Sequence, residues 1–246
     1  MSIKFSFVGC AIRSELYYGL CESIAKSNSN LNSSYEIIFA GSAPPIQKMP
    51  NNFKYIVTQT HPAWATEVAV RHAKGEYLIV ISDDAIFSDG YLGILDHYIS
   101  KIGMEKCVVG GRFRYANHKE CNDSCLTIDD KHAKAPVHPM GGAYKRDVWN
   151  ELGGVDNRFF GSYYDLDMGM RFYEKGFVPF VMPDAYYSEN RHTTIPSCLW
   201  KKTGKAARET MNKLWVKNGE YSLKRLSPVQ SITDEYIKSS IEKIID

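Results

Sequence analysis

The chain has 246 residues, above the usual single-core size of roughly 100 to 200, although α/β folds run to about 250 as one domain. Apolar residues make up 44% and charged residues 24% of it, ordinary globular usage that excludes general disorder and collagen-like repetition. Thirty Lys and Arg against 28 Asp and Glu leave a formal charge of +2, too even a balance for a protein that tracks nucleic-acid backbone.

The N-terminus, MSIKFSFVGCAIRSE, reaches Arg13 before a signal-peptide apolar stretch is built. No uncharged apolar run approaches the roughly 18 residues that span a bilayer. We therefore expect a soluble, cytoplasmic protein with no transmembrane segment, whose cysteines (Cys10, Cys21, Cys107, Cys121, Cys125, Cys198) are mostly reduced thiols. Ile3 to Val8 reads as a strand and Glu15 to Lys26, with Leu16, Leu20 and Ile24 four apart, as a helix. Tyr35 to Ala40, ended by Gly41 and Pro44-Pro45, and Tyr55 to Thr58 are further strands. Trp64 to Lys74 is a helix closed by Gly75, and EYLIVIS (Glu76 to Ser82) is a strand covered on both faces.

Beyond residue 84 the pattern predicts a helix over Gly90 to Ile102, a strand over Cys107 to Gly110, and a polar excursion at about 117–135. A helix near Arg146 to Leu152, a helix from Tyr164 to Lys175 and a strand over Phe177 to Met182 follow. Alternating β and α with apolar strands predicts an α/β fold with a mostly parallel central sheet flanked by helices. We place its domain at 1–200 and a basic, helical C-terminal extension packed on it at 201–246. Residues 201 to 225 carry eight Lys and Arg against Glu209 and Glu220, and an amphipathic helix runs from Asp234 with Ile237, Ile241, Ile244 and Ile245 inward.

In an open α/β sheet ligands collect beyond the carboxyl ends of the strands, where Asp83 and Asp84 fall. Two adjacent carboxylates repel unless something positive sits beside them. Mg²⁺ and Mn²⁺ take such oxygen ligands together with substrate phosphates, although a helix N-cap or a solvated turn also favours Asp. Asp165 and Asp167 lie two apart on a helix, roughly 200° around it, so they cannot share a face. Asp167 reaches Arg171 four residues on, which leaves Asp165 at the helix start either as a cap or as a base kept ionised by the helix dipole.

The stretches AVRHAKGEYLIVISDDA and GGAYKRDVWNELGGVDNRFFGSYYDLDMGMRFYEKGF, with a later His192, resemble in order and spacing the glycosyltransferases of family 2, enzymes of GT-A fold. The resemblance covers about residues 3 to 195, and KLWVKNG (213–219) is similar to the end of many members. It implies a Rossmann-like nucleotide-binding half and an acceptor half. Ser82-Asp83-Asp84 falls on the family's DxD signature, implying that Asp84 ligates a divalent metal, Mn²⁺ or Mg²⁺, with His192 as a further ligand. Asp165 falls on the general base that deprotonates the acceptor hydroxyl. Ala11, Arg13, Gly41, Asp83 and Asp84 are assigned to a UDP-, GDP- or dTDP-linked sugar donor, and Gly141, Gly142 and Tyr164 to a glycan or lipid-linked acceptor.

The chain departs from the family at Gly41, where Asp usually holds the nucleotide base, and at Ser82, the first position of DxD. Tyr164 replaces the acidic residue before Asp165, and Glu67 and Ala69 stand where Asn and Gly are commoner. The expected function is inverting, metal-dependent glycosyl transfer. The alternative is a GT-A-like protein that binds nucleotide or glycan without transfer, and a third reading is nucleotidyl transfer, which lacks a phosphate-cradling glycine loop near residues 8–15. Three smaller signals remain. His118, Cys121, Cys125 and His132 are a Zn²⁺ ligand set or free thiols and histidines of a loop. His138 lines the acceptor pocket or bonds to backbone. The 201–225 cations close over a diphosphate, form a solvated face, or attract a membrane surface peripherally.

Overall fold

The computed structural model describes residues 3–29, 33–115, 126–129, 134–189 and 197–246. His192 and the cluster of His118, Cys121, Cys125 and His132 lie outside the described residues. In chain order the elements begin β1 (Phe5–Cys10), a 3-10 turn (Ser14–Leu16), α1 (Tyr17–Ser27), β2 (Tyr35–Gly41), β3 (Phe53–Thr58), α2 (Pro62–His72) and β4 (Tyr77–Val80). Then come β5 (Ala85–Phe87), α3 (Tyr91–Ile102), β6 (Cys107–Tyr115), the short β7 (Ile128–Asp129) and β8 (Lys134–Ala135), β9 (Gly142–Lys145), α4 (Arg146–Glu151) and α5 (Tyr164–Glu174). β10 (Val178–Glu189), α6 (Ser197–Trp215), the ribbon β11 (Val216–Lys217) and β12 (Glu220–Tyr221), α7 (Asp234–Ser240) and β13 (Ile241–Ile245) complete the chain.

The central sheet orders its nine strands β13-β3-β2-β1-β4-β9-β6-β10-β5. β3, β2, β1 and β4 are mutually parallel, as are β6 and β10, whereas β13, β9 and β5 run against their neighbours. Helices cover both faces, which is why the strands read as apolar runs. Phe5, Phe7, Phe39, Tyr55 and Ile79 pack with Tyr17, Leu20 and Leu95 of α1 and α3. Val8, Ile38, Ile56, Leu78 and Val80 pack on the other face with Val68, Trp149, Met168 and Phe172 of α2, α4 and α5. The chain runs outward from β1 through β2 to β3, then returns to β4 on the far side of β1. In open α/β sheets ligands bind in the crevice outside the strand ends at such a reversal, which here falls at the carboxyl ends of β1 and β4.

Several strands outrun the sequence expectation: β6 continues to Tyr115 and β10 to Glu189, with a register shift between Met182 and Tyr186. The terminal helix is a correction in the other direction. It stops at Ser240, and Ile241–Ile245 forms β13, antiparallel to β3. An isoleucine-rich run suits either element, and the unpaired edge of β3 decides it by offering backbone hydrogen bonds that a helix would leave exposed. Ile241 and Ile245 pack against the cores while Ile244 stays exposed. Among the described residues no helix is long and apolar enough to cross a membrane.

Buried ion pairs join apolar packing in holding the C-terminal segment. Asp156 and Asp167 are fully buried, and the Arg225 guanidinium bridges them, donating to Asp156 Oδ2 at 2.7 Å and Asp167 Oδ1 at 3.0 Å. Trp215 Nε1 donates to Asp167 Oδ1 at 2.8 Å, Arg171 Nη2 lies 2.9 Å from Asp167 Oδ2, and Arg158 Nη2 donates to Asp156 Oδ2 at 2.6 Å. Burial alone would raise the Asp156 carboxyl, but the bonds from Arg158, Arg225 and the Gln230 N–H outweigh it and hold it well below the ordinary carboxylate range. Removing one partner of such a pair strands a buried charge, so Arg225→Met should cost about 3–5 kcal/mol, read from the urea midpoint. Because the folded carboxyl is depressed, the Asp156 contribution is complete above its ordinary value of 3.8 and is lost as pH falls below it. Wild-type stability should fall with acid more steeply than that of Asp156→Asn.

Candidate active site

β1 and β4 stay in contact to their ends: the Ile81 N–H donates to Val8 O at 2.9 Å, and a Cβ on Gly9 would stand 2.1 Å from the Ile81 carbonyl. Asp83 and Asp84 follow, 2% and 8% exposed. Their repulsion is met by Arg13. Asp83 Oδ2 accepts the Ile12 and Arg13 N–H groups, both at 2.9 Å, while Oδ1 accepts Arg13 Nε at 2.8 Å and Arg13 Nη2. Arg13 Nη1 donates to Asp84 Oδ2 at 3.0 Å. Burial works against the guanidinium's charge, but the two aspartates overcome it and raise its pKa.

Four N–H donors fill Asp83, which makes it the anchor of the 11–13 loop. Among the described residues no hydrogen bond reaches Asp84 Oδ1. That oxygen suits one position around a hard divalent cation, which one or two carboxylates and substrate phosphates ordinarily hold. No group of three His, Cys, Asp or Glu side chains among the described residues is placed to hold a metal unaided.

Ala11 and Gly41 lie in the same knot. The Ala11 N–H donates to Ala40 O at 3.0 Å and its carbonyl accepts from Tyr55 Oη at 2.8 Å. A Cβ on Gly41 would stand 2.2 Å from the Ala11 carbonyl oxygen, so glycine is what lets β2 end against this loop. Cys10, the last residue of β1, is pushed up to about 12 by burial first and the Asp83 charge second, so its thiol stays protonated at neutral pH.

The glycine pair carries the chain from this crevice to α5. Gly141, at φ +69°, donates its N–H to Val80 O at 2.8 Å, and its carbonyl accepts from Tyr91 Oη at 3.1 Å. A Cβ on Gly142 would crowd Leu126 and Val108 at 2.6 and 2.7 Å. Three residues before Gly141, His138 is 5% exposed, and its Nε2 lies 3.1 Å from Asp165 Oδ2. His138 thus bonds to the Asp165 carboxylate as well as, through its own N–H, to the Leu126 carbonyl. Burial would raise the Asp165 carboxyl. The His138 ring and the N–H groups of Leu166 and Asp165 itself prevail and hold it below the ordinary carboxylate range.

Tyr163 enters α5 at φ +68°, a conformation costly for an aromatic residue and common where function fixes backbone. Tyr164 Oη lies 3.3 Å from Thr66 Oγ1 and 4.0 Å from Met140 Sδ. Burial raises the Tyr164 pKa most, and Asp165, Cys10 and Glu189 add to it. One tyrosine therefore feels groups from the ends of β1, β10 and the start of α5. Sequence reasoning missed Glu189, the last residue of β10, whose Oε1 accepts from Ser82 Oγ at 3.0 Å and Tyr187 Oη at 2.6 Å. Nothing but the β10 register brings it beside Ser82.

No protein-family model matches the chain, and no curated protein sequence does. Solved structures match it in three dimensions. S. aureus TarS 1-349 superposes with a TM-score of 0.60 at 17% identity, over 76% of this chain and 60% of that one. Its complex with UDP gives 0.58 at 15% identity over 83% and 64%, and its complex with UDP-GlcNAc 0.58 at 16% identity over 82% and 64%. The fold is GT-A. The chain thus spans less than two thirds of these TarS structures.

Within the GT-A fold, α5 presses on the chain leading to His138: a Cβ on Gly169, one turn beyond Asp165, would stand 2.1 Å from the Val137 carbonyl oxygen. Gly→Ala inside a helix ordinarily stabilises by about 0.5–1 kcal/mol. Gly169→Ala should do the reverse and lower the urea midpoint; a raised midpoint would show that α5 does not need this approach.

Proposed function

We infer that this chain is a metal-dependent, inverting glycosyltransferase that moves a sugar from a nucleotide-diphosphate donor to a hydroxyl of a glycan or related acceptor. The observation that carries the reading is a carboxylate kept ionised in a partly enclosed place, Asp165, joined through the 138–141 run to the β4 end where Arg13, Asp83 and Asp84 gather. The GT-A fold, shared with TarS structures that hold UDP and UDP-GlcNAc, supports a nucleotide-sugar donor.

Each group has a physical task. The glycosidic bond from the anomeric carbon to the diphosphate oxygen breaks with its electron pair leaving on the diphosphate, while the acceptor oxygen bonds to the carbon from the opposite face, inverting it. Asp165 takes the acceptor hydroxyl's proton. Its lowered pKa keeps it available as a base down to acid pH. Arg13 fixes the loop at the β1 end and brings a cation to where the leaving charge grows. Asp84 Oδ1 would hold the divalent cation, which when bound neutralises the departing diphosphate.

Asp165→Asn should lower transfer at least roughly 10²-fold with donor affinity unchanged, since only the proton acceptor is lost. Asp84→Ala should weaken binding of UDP-GlcNAc in Mn²⁺ but not in EDTA, measured by calorimetry. Retained transfer in the first variant would move the base elsewhere. Donor binding by the wild type, with neither hydrolysis nor transfer across UDP, GDP and dTDP sugars, would favour a binding protein.

A further inference from the structure

We propose that His138 is the positioning residue of Asp165: it pins one carboxylate oxygen so that the other meets the acceptor hydroxyl. This rests on the reading of Asp165 as the base. An aspartate in the first turn of a helix swings between rotamers, and a swing of about 1 Å costs on the order of 10² in rate when the group must meet a proton in line. Asp165 is held against that. His138 Nε2 lies 3.1 Å from Oδ2, and the Asp165 side chain keeps 27% of its surface open for a substrate.

The histidine is itself over-determined, as a part that sets another's geometry has to be. Its N–H donates to the buried Leu126 carbonyl at 2.6 Å. Pro139 follows it and restricts its backbone. The Val137 carbonyl, one residue before, rests in the notch that Gly169 leaves in α5. Gly169 and Asp165 are four apart and share a helix face, so the same contact seats the 137–138 segment and the carboxylate together. Beyond the ring, Gly141 is bonded to Val80 of β4, which ties the base to the crevice where Asp83 and Asp84 sit.

The bond has a required polarity. With Asp165 ionised, Nε2 carries the hydrogen and donates to Oδ2, which leaves the acceptor's proton to Oδ1. Tyr164, next to it in the chain, stays protonated because burial and the Asp165 charge raise it, with Cys10 and Glu189 adding to the shift.

The test uses the full chain with ¹³C-labelled aspartate, and Asp165→Asn assigns the Asp165 carboxyl signal. In His138→Ala that carboxyl should titrate at higher pH than in the wild type, and in His138→Gln, whose amide still donates, it should return part of the way. With UDP-GlcNAc and Mn²⁺, His138→Ala should lower kcat roughly 10–100-fold with donor KM unchanged, and move the acid limb of the pH–rate profile upward. An Asp165 titration identical in all three proteins overturns the proposal, whether or not turnover is seen. Full activity in Asp165→Asn would remove the base assignment while leaving the titration shift to stand, so the two failures are distinguishable. A His138→Ala variant that loses its cooperative melt is replaced by His138→Phe, which fills the same space without a donor and for which an unshifted carboxyl and an unaltered kcat count against the idea.

Discussion

The arrangement depends on one guanidinium. Asp83 and Asp84 are adjacent in sequence and both buried, and neighbouring like charges repel by on the order of a few kcal/mol even at an effective dielectric near 20. Arg13 answers both with three nitrogens, while the N–H groups of Ile12 and of Arg13 itself complete the Asp83 shell. The loop after β1 is therefore folded around the end of β4. The crevice at the strand reversal becomes a fixed cationic and anionic pair instead of a flexible gap.

Helix α5 divides two similar residues by geometry alone. Asp165 meets His138 at the helix start, whereas Asp167 points into the interior among Arg171, Trp215 and Arg225. The C-terminal segment thereby holds the helix that carries the candidate base. Of the basic residues between 201 and 225, Arg225 is consumed in this buried network, and Arg208 donates to Tyr163 Oη at 3.3 Å. Arg225 is thus an interior residue, whereas Arg208 stays on the exposed face of α6.

The unusual Glu67 has a comparable structural answer. It is 1% exposed and accepts from Arg71 Nε at 2.6 Å, Trp149 Nε1 at 2.8 Å and the Val155 N–H at 2.9 Å. Gly154 passes so close that a Cβ would stand 2.6 Å from its carboxylate. The glutamate staples α2 to α4 and to the turn after it. Its buried charge is therefore fully partnered.

Local chemistry was enough to read the strands β1 to β4, the helices between them, the carboxylates at the end of β4 and the opposition of Asp165 and Asp167, because each follows from periodicity or from neighbours within a helical turn. The tertiary structure alone decided the rest. β13 is a strand because β3 had an edge to pair, Asp83 is an anchor because Arg13 came back to it from 70 residues away, and Glu189 reached Ser82 only through the register of β10. His138 stands out in the sequence by preceding Pro139 and the glycine pair, which does not say what its ring meets. Its bond to Asp165 exists because Gly169 lets two segments approach within contact distance, and such long-range contacts depend on packing that no local pattern encodes.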